Sequence, residues 1–377
     1  MCLLQERKSL VPITAFVRYS TGLKSLLRKR HDRHTCEHPL SNLYIMSHNK
    51  APQATYTTVA EFPKQYFLEN LAVRADNSVL IHVANKKELW YVPSSNGTTT
   101  VTPVLLHTYQ ENAGGIVELE PDVFALLTGN VYTTHECYLH RLDLRNWKAG
   151  TPISPTTVCQ FPARARGVNG ACLLSPGVVL VADCFAGLIW RLDFGSNDMK
   201  PSISVWLEHE SMGYFPGKMK PEQPGVNGVR YAAESNYLYY TATAKKLFMR
   251  VKVDPHSLAP VGQPELVVAG RVGDDFFIDE RSGVIYLTTH RQNTIDVVSM
   301  EPALNSGFTQ SVAGDPYSDQ MIGPSGGAWR RNPGDVGRVA FVITDGGTAS
   351  PPPDGPRPAK LMLMQFQPLD GFPGVNQ

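Results

Sequence analysis

The chain has little of what marks the common function classes. Its 377 residues carry 35 Lys and Arg against 34 Asp and Glu, a formal net charge of +1. No overall field therefore recruits nucleic acid or an anionic membrane surface. No apolar run reaches the about 18 residues that a membrane-spanning helix needs. The six cysteines (Cys2, Cys36, Cys137, Cys159, Cys172 and Cys184) show no C-x-x-C spacing. They read as reduced thiols, with three disulfides the alternative. No phosphate loop, no dinucleotide fingerprint and no Ser-His-Asp set with a nucleophile elbow stands out, so a nucleotide cofactor is not expected.

What is present in quantity is turn chemistry. The chain has 31 Gly and 29 Pro, about a sixth of all residues, which favours many short strands over long helices. The opening "MCLLQERKSLVPITAFVRYSTGLKSLLRKRHDRH" is basic and poor in acids, and lacks the uninterrupted apolar stretch of a secretory signal. Residues 1–52 read as a disordered basic extension, with organelle targeting the alternative and the cytoplasm the expected compartment. Residues 53–377 read as a single domain.

The phrase GVNG occurs at 167–170 and at 225–228, each time ahead of a strand-like segment: "GVNGACLLSPGVVLVAD" and "GVNGVRYAAESNYLYYT". With Asn169 and Asn227 as anchors, "ENLAVRADNSVLIHV" from Glu69 and "DDFFIDERSGVIYLT" from Asp274 align without a gap. In all four a second, more apolar strand begins near the eleventh residue, at Leu80, Leu180, Leu238 and Ile285. A third follows in "ELWYVPS", "LIWRLDF", "LFMRVKVD" and "TIDVVSM". Weaker copies around Gly115 and Ser325 fill the gaps. The spacing of roughly 46 to 58 residues is that of a propeller blade. The expected fold is all-β, a six-bladed β-propeller of four-stranded antiparallel blades. Leu80, Val83, Val179, Val181, Leu238, Tyr240, Ile285 and Leu287 should lie in its core, and the Pro-rich 347–360 should form a hairpin tip of the last blade.

In a propeller the innermost strands all start at one mouth of the central channel. Glu69, Asn169, Asn227 and Asp274 should therefore meet there. Two carboxylates and two carboxamides at one point are hard oxygen donors, costly to bury uncompensated. A divalent cation removes that cost, Ca2+ first and Mg2+ or Mn2+ second; Zn2+ lacks the thiolate or imidazole it prefers. The competing reading is that these residues only build turns.

The order Glu69, Asn169, Asn227, Asp274, each opening a blade, resembles the senescence-marker-protein/gluconolactonase family over about residues 55–370. The resemblance implies that these four are metal ligands, with Asp274 or adjacent Asp275 as the acid/base. The chain departs from that pattern in "FLENLAVRADNS", which lacks the Glu-Gly-Pro-x-Trp phrase of the lactonases, and is more similar to a fungal branch of secondary metabolism. Some members of that branch are hetero-Diels–Alderases that join an o-quinone methide to a terpene alkene. Such a reaction needs a dry pocket that poses two reactants and polarises an oxygen.

Loops opening on the same mouth, including the turns carrying Asp183, Cys184, Thr241 and Arg291, supply the material for such a pocket. Phe185, Met212, Tyr214, Phe215, Thr243, Phe276 and Trp329 are candidate substrate-binding residues, with Tyr317 and Met321 beside them, and His290 is a third catalytic candidate. Three functions follow: a cycloaddition enzyme acting on small hydrophobic substrates; alternatively a Ca2+-dependent lactonase or esterase; or a non-catalytic binding module.

Overall fold

The structure is a computed structural model that describes residues 53–195, 200–218, 222–305, 309–369 and 372; the basic extension over 1–52 lies outside them. The described residues form six four-stranded antiparallel sheets. The innermost strands are Leu68–Val73, Asn112–Glu120, Val168–Ser175, Val226–Ala232, Gly273–Asp279 and Pro324–Trp329, which open blades one to six in chain order. Five blades run inside to outside along the chain. In the sixth the outermost strand, Thr55–Lys64, comes from the start of the domain and pairs antiparallel with Pro358–Gln365. The sequence reading had assigned this first strand no role. Among the described residues no helix is long and apolar enough to cross a membrane.

The second strand of each blade is buried on both faces, which explains its largely apolar character. Val178–Asp183 and Val284–Thr289 are buried at every position, and their β-branched side chains suit a pleated surface packed on two sides. Outer strands such as Thr156–Gln160 are half-exposed and mixed in character. The eight residues expected in the core are all buried, none above 1% exposed.

Six apolar clusters, one at each junction between neighbouring blades, carry the packing. Leu180 and Ile189 meet Val229 and Tyr240 between blades three and four. Leu71 and Ile81 meet Phe341 and Leu361 where blade six meets blade one. No blade has a core of its own, so each is stable only against its neighbours.

The repeated GVNG has a steric cause. A Cβ on Gly170 would run into the Asn227 carbonyl and the Gly228 Cα; one on Gly228 would meet the Asp275 side chain and, at 2.9 Å, its Cα. Near the axis the inner strands of adjacent blades approach backbone to backbone, and only glycine leaves room. The Pro-rich connection of blade six joins Val339–Thr344 to Pro358–Gln365, so Pro358–Lys360 already belongs to the last strand.

Candidate functional site at the mouth of the central channel

In all six blades the ladder between the first and second strands is interrupted at the start of the inner strand. The breaks fall between Leu68 and Asn70, Ala113 and Ile116, Val168 and Ala171, Val226 and Val229, Gly273 and Phe276, and Pro324 and Gly326. Each interruption contains or adjoins an anchor residue. A bulge frees a residue from the pleat and re-aims its side chain. At this point the sheet alternation gives way, and Glu69, Asn169, Asn227 and Asp274 turn into one shared cavity.

The four make two hydrogen-bonded pairs. Asn169 Nδ2 donates to Glu69 Oε1 at 2.8 Å. Asn227 Nδ2 donates to Asp274 Oδ1 and, at 3.2 Å, to Thr243 Oγ1. The Thr243 hydroxyl in turn donates to the Gly273 carbonyl at 2.8 Å, which holds Asn227 against the next blade.

The charges are unbalanced. Removal from water pushes Glu69 up to about 8, with the Asp274 charge adding to the shift and the Asn169 hydrogen bond opposing it. Burial likewise raises Asp274 to about 6. For His290 burial disfavours the charged ring, but Asp345, Asp274 and Glu69 outweigh it and lift its pKa to about 9. His290 Nε2 stands 3.2 Å from Asp345 Oδ2 as a buried ion pair. The ring also lies 5.4 Å from that of Phe67.

Two buried carboxylates held at raised pKa beside two carboxamide oxygens suit a hard divalent cation, which would take up the negative charge that water cannot reach. Glu69 and Asp274 would supply charge, and Asn169 and Asn227 neutral oxygens. Among the described residues no group of three or more His, Cys, Asp or Glu is arranged to hold a metal ion; half of this donor set is amide.

The cavity measures about 300 Å³. All six blades line it, each through the turn after its second strand: Ala84 and Asn85, Val131 and Tyr132, Cys184 and Phe185, Thr243, His290 and Arg291, and Ala349. Tyr132, Phe185 and Tyr214 form an aromatic ladder at the rim, with ring centroids 5.6 and 5.0 Å apart and edge-to-face geometry. Of the expected residues, Phe185, Thr243, Asp274 and His290 line the cavity, and Tyr214 backs Phe185.

Several expected residues lie elsewhere. Asp275 is not part of the cavity wall; within the irregular stretch between Gly273 and Phe276 it turns to Arg230, with which it pairs at 2.5 Å. Phe276 is fully buried against Phe248 between blades four and five. Met212 is fully buried between blades three and four. Trp329 packs edge-on to Phe277 and Tyr286 and donates to the Ile278 carbonyl. Met321 is likewise core. Phe215 stands outside beneath Lys218 and Lys245, and Tyr317 is exposed to solvent. Apolar periodicity alone does not separate a core aromatic from a rim aromatic.

The sequence reading also passed over Tyr132 and Phe67, although Tyr132 directly follows the second strand of blade two and position in the repeat marks it. Gly323-Pro324-Ser325-Gly326-Gly327 has the letters of a nucleophile elbow. It runs into a strand with no helix after it, and the buried Ser325 hydroxyl donates to the Leu68 carbonyl, so it is no nucleophile. Cys137, Cys159, Cys172 and Cys184 form no disulfides.

No family model matches the chain, and no curated protein is similar to it in sequence. Solved structures with the same fold exist at low identity. A gluconolactonase from Xanthomonas campestris superposes with a TM-score of 0.57 at 11% identity, over 84% of this chain and 91% of that one. A luciferin-regenerating enzyme gives 0.56 at 12%, over 86% and 99%. The calcium-binding protein regucalcin from Agrobacterium tumefaciens gives 0.54 at 12%, over 85% and 99%. A PQQ-bound aldose sugar dehydrogenase from Streptomyces coelicolor is equally near at 0.57 and 10%, so the architecture alone does not select a chemistry. What these comparisons establish is that the chain shares its fold with gluconolactonase-like six-bladed propellers.

Proposed function

We propose that the chain is a divalent-cation-dependent hydrolase of small lactones or aryl esters, acting at the channel mouth. The observation that carries this reading is the meeting of Glu69, Asn169, Asn227 and Asp274 at one point by way of blade-opening bulges. The gluconolactonase and calcium-binding neighbours support it over the cycloaddition reading. When bound, the cation would polarise the acyl carbonyl. The chain's own residues do the rest. Asn227 occupies Asp274 Oδ1, leaving Oδ2 to accept a proton from attacking water. His290, kept protonated by Asp345, donates a proton to the departing alkoxide. The apolar wall around Val131 and Phe185 limits access of bulk water.

The test is hydrolysis of aldonolactones and aryl esters by the purified chain with Ca2+ or EDTA. Activity should disappear with EDTA and in Asp274→Asn; turnover that survives both removes the proposal. The second reading, promotion of an intermolecular hetero-Diels–Alder reaction, is favoured by the aromatic ladder Tyr132–Phe185–Tyr214. It would show as an altered product ratio when a quinone-methide precursor and a terpene alkene react in the presence of the protein, and an unchanged ratio rules it out.

A further inference from the structure

Arg291 occupies an unusual position for an arginine. It sits in the turn after the second strand of blade five, where the N–H groups of Gln292 and Asn293 return to the Thr289 carbonyl at 2.9 and 3.0 Å. That tight turn brings His290 and Arg291 together onto the cavity wall. Arg291 is the single Arg or Lys in the lining. Its Nε is buried and meets no acceptor, and it makes no hydrogen bond or ion pair among the described residues. Arg230 and Arg271, by contrast, are matched to Asp275 and Asp296. Arg291 as a whole is half-buried, and a buried N–H without an acceptor carries a desolvation cost.

The carboxylates sharing the cavity are engaged elsewhere. Glu69 and Asp274 accept from the two asparagines, and Glu222 Oε1 accepts from the Gly217 N–H at 2.8 Å. His290 already faces Asp345. None of these carboxylates is hydrogen-bonded or ion-paired to Arg291 among the described residues, so its guanidinium faces the cavity without a direct partner. Tyr132, whose phenol lies within electrostatic reach of Arg291, meets Phe185 edge-on at 5.6 Å and adds an apolar surface to the same mouth. A cavity of about 300 Å³ is at the small end of ligand sites.

We infer that Arg291 recognises an oxyanion of the ligand, so that this site selects small amphiphilic carboxylates with an apolar body that packs on Tyr132 and Phe185. The inference deepens the small-molecule reading above and rests on it. Guanidinium and carboxylate match in planar, two-pronged geometry, and ring edges beside the charge cover an aromatic or aliphatic tail.

The test is calorimetric binding of 4-phenylbutyrate and of 4-phenylbutan-1-ol, in Ca2+ and in EDTA, to the wild-type chain, Arg291→Gln and Arg291→Lys. The wild type should bind the acid at least about ten-fold more tightly than the alcohol, in both buffers, as one charge-assisted contact provides. Arg291→Gln should lose that preference with its affinity for the alcohol unchanged, and Arg291→Lys should keep part of it. Three results overturn the inference: a preference that survives Arg291→Gln, a preference that disappears with EDTA in the wild type (the anion then sits on the cation), or no binding of either probe. Turnover enters none of these readings, so a failure of the hydrolase proposal and a failure of this one are separately visible.

Discussion

Arg230 Nη2 lies 2.5 Å from Asp275 Oδ2, while Asp274, one residue earlier, accepts from Asn227 on the same neighbouring strand. Adjacent carboxylates thus have opposite duties, one paired within the protein and one turned to the cavity. The two isosteric amides should separate them. Asp275→Asn leaves Arg230 without its countercharge and should cost about 3 kcal/mol, read by urea denaturation. Asp274→Asn removes a like charge from beside Glu69, so in EDTA its stability should be equal to or greater than that of the wild type. Its Ca2+-dependent thermal shift should be lost.

Cation binding should depend on pH in a defined direction. A protonated carboxyl is no ligand, and Glu69 and Asp274 lose their protons near pH 8 and 6. Ca2+ affinity should therefore rise between pH 6 and 8, by at most about ten-fold per pH unit for each proton released. Without cation, folding becomes less favourable as pH rises over the same span. Glu69, raised from 4.5, contributes stability that is complete below that value and lost as pH climbs to about 8. His290, raised from 6.5, contributes stability that is lost only through about 9. The rise in melting temperature that Ca2+ confers should consequently grow from pH 6 to pH 8, and a constant increment would contradict this.

The close approach of inner strands makes Gly170 a sensitive position. Gly170→Ala drives a Cβ into the backbone of blade four, and overpacking of this kind costs about 1–3 kcal/mol or more. Gly195→Ala, whose Cβ would meet nothing within 4 Å, should remain close to wild type in the same denaturant titration.

Acid sensitivity should come from a different quarter. His82 and His140 are buried neutral between blades one and two, with burial pushing them down to about 3 and about 4. His140 bridges the hydroxyls of Thr128 and Thr157 at 2.8 and 3.1 Å. The unfolded chain binds their protons below pH 6.5 and the folded chain does not, so each subtracts stability as pH falls. His140→Gln should flatten the dependence of unfolding free energy on pH between 4 and 6.5 by up to about 1.4 kcal/mol per unit. An unchanged slope would mean that the ring is already charged in the fold.

Much of the architecture was readable because the constraint behind it repeats. Each second strand is buried on both faces, so "VVLVAD" and "VIYLTT" open with four consecutive apolar residues, and their offset from Glu69, Asn169, Asn227 and Asp274 follows from a common blade geometry. The convergence of those four was legible for the same reason. Individual pocket residues were not. Phe276 and Phe185 look alike in a string of letters, yet one side of a pleat places the first in a blade junction and a turn places the second at the mouth. Asp275 was misread because a bulge, invisible in sequence, decides which of two neighbouring acids turns inward. The outermost strand Thr55–Lys64 escaped notice because its partner lies at the far end of the chain.

That pairing, Thr55 against Gln365 and Lys64 against Pro358, has a consequence for biosynthesis. Blades one to five can each pair their strands as the ribosome releases them, but the circle has a gap until the final strand arrives to be clasped by the first. A polypeptide stalled or clipped shortly before Pro358 would leave Thr55–Lys64 as an unpaired sticky edge and the junction beside Glu69 uncovered. The strand made last of the twenty-four described thus closes a cavity whose wall begins with Glu69 in the first blade, and quality control has one late, all-or-none event to monitor.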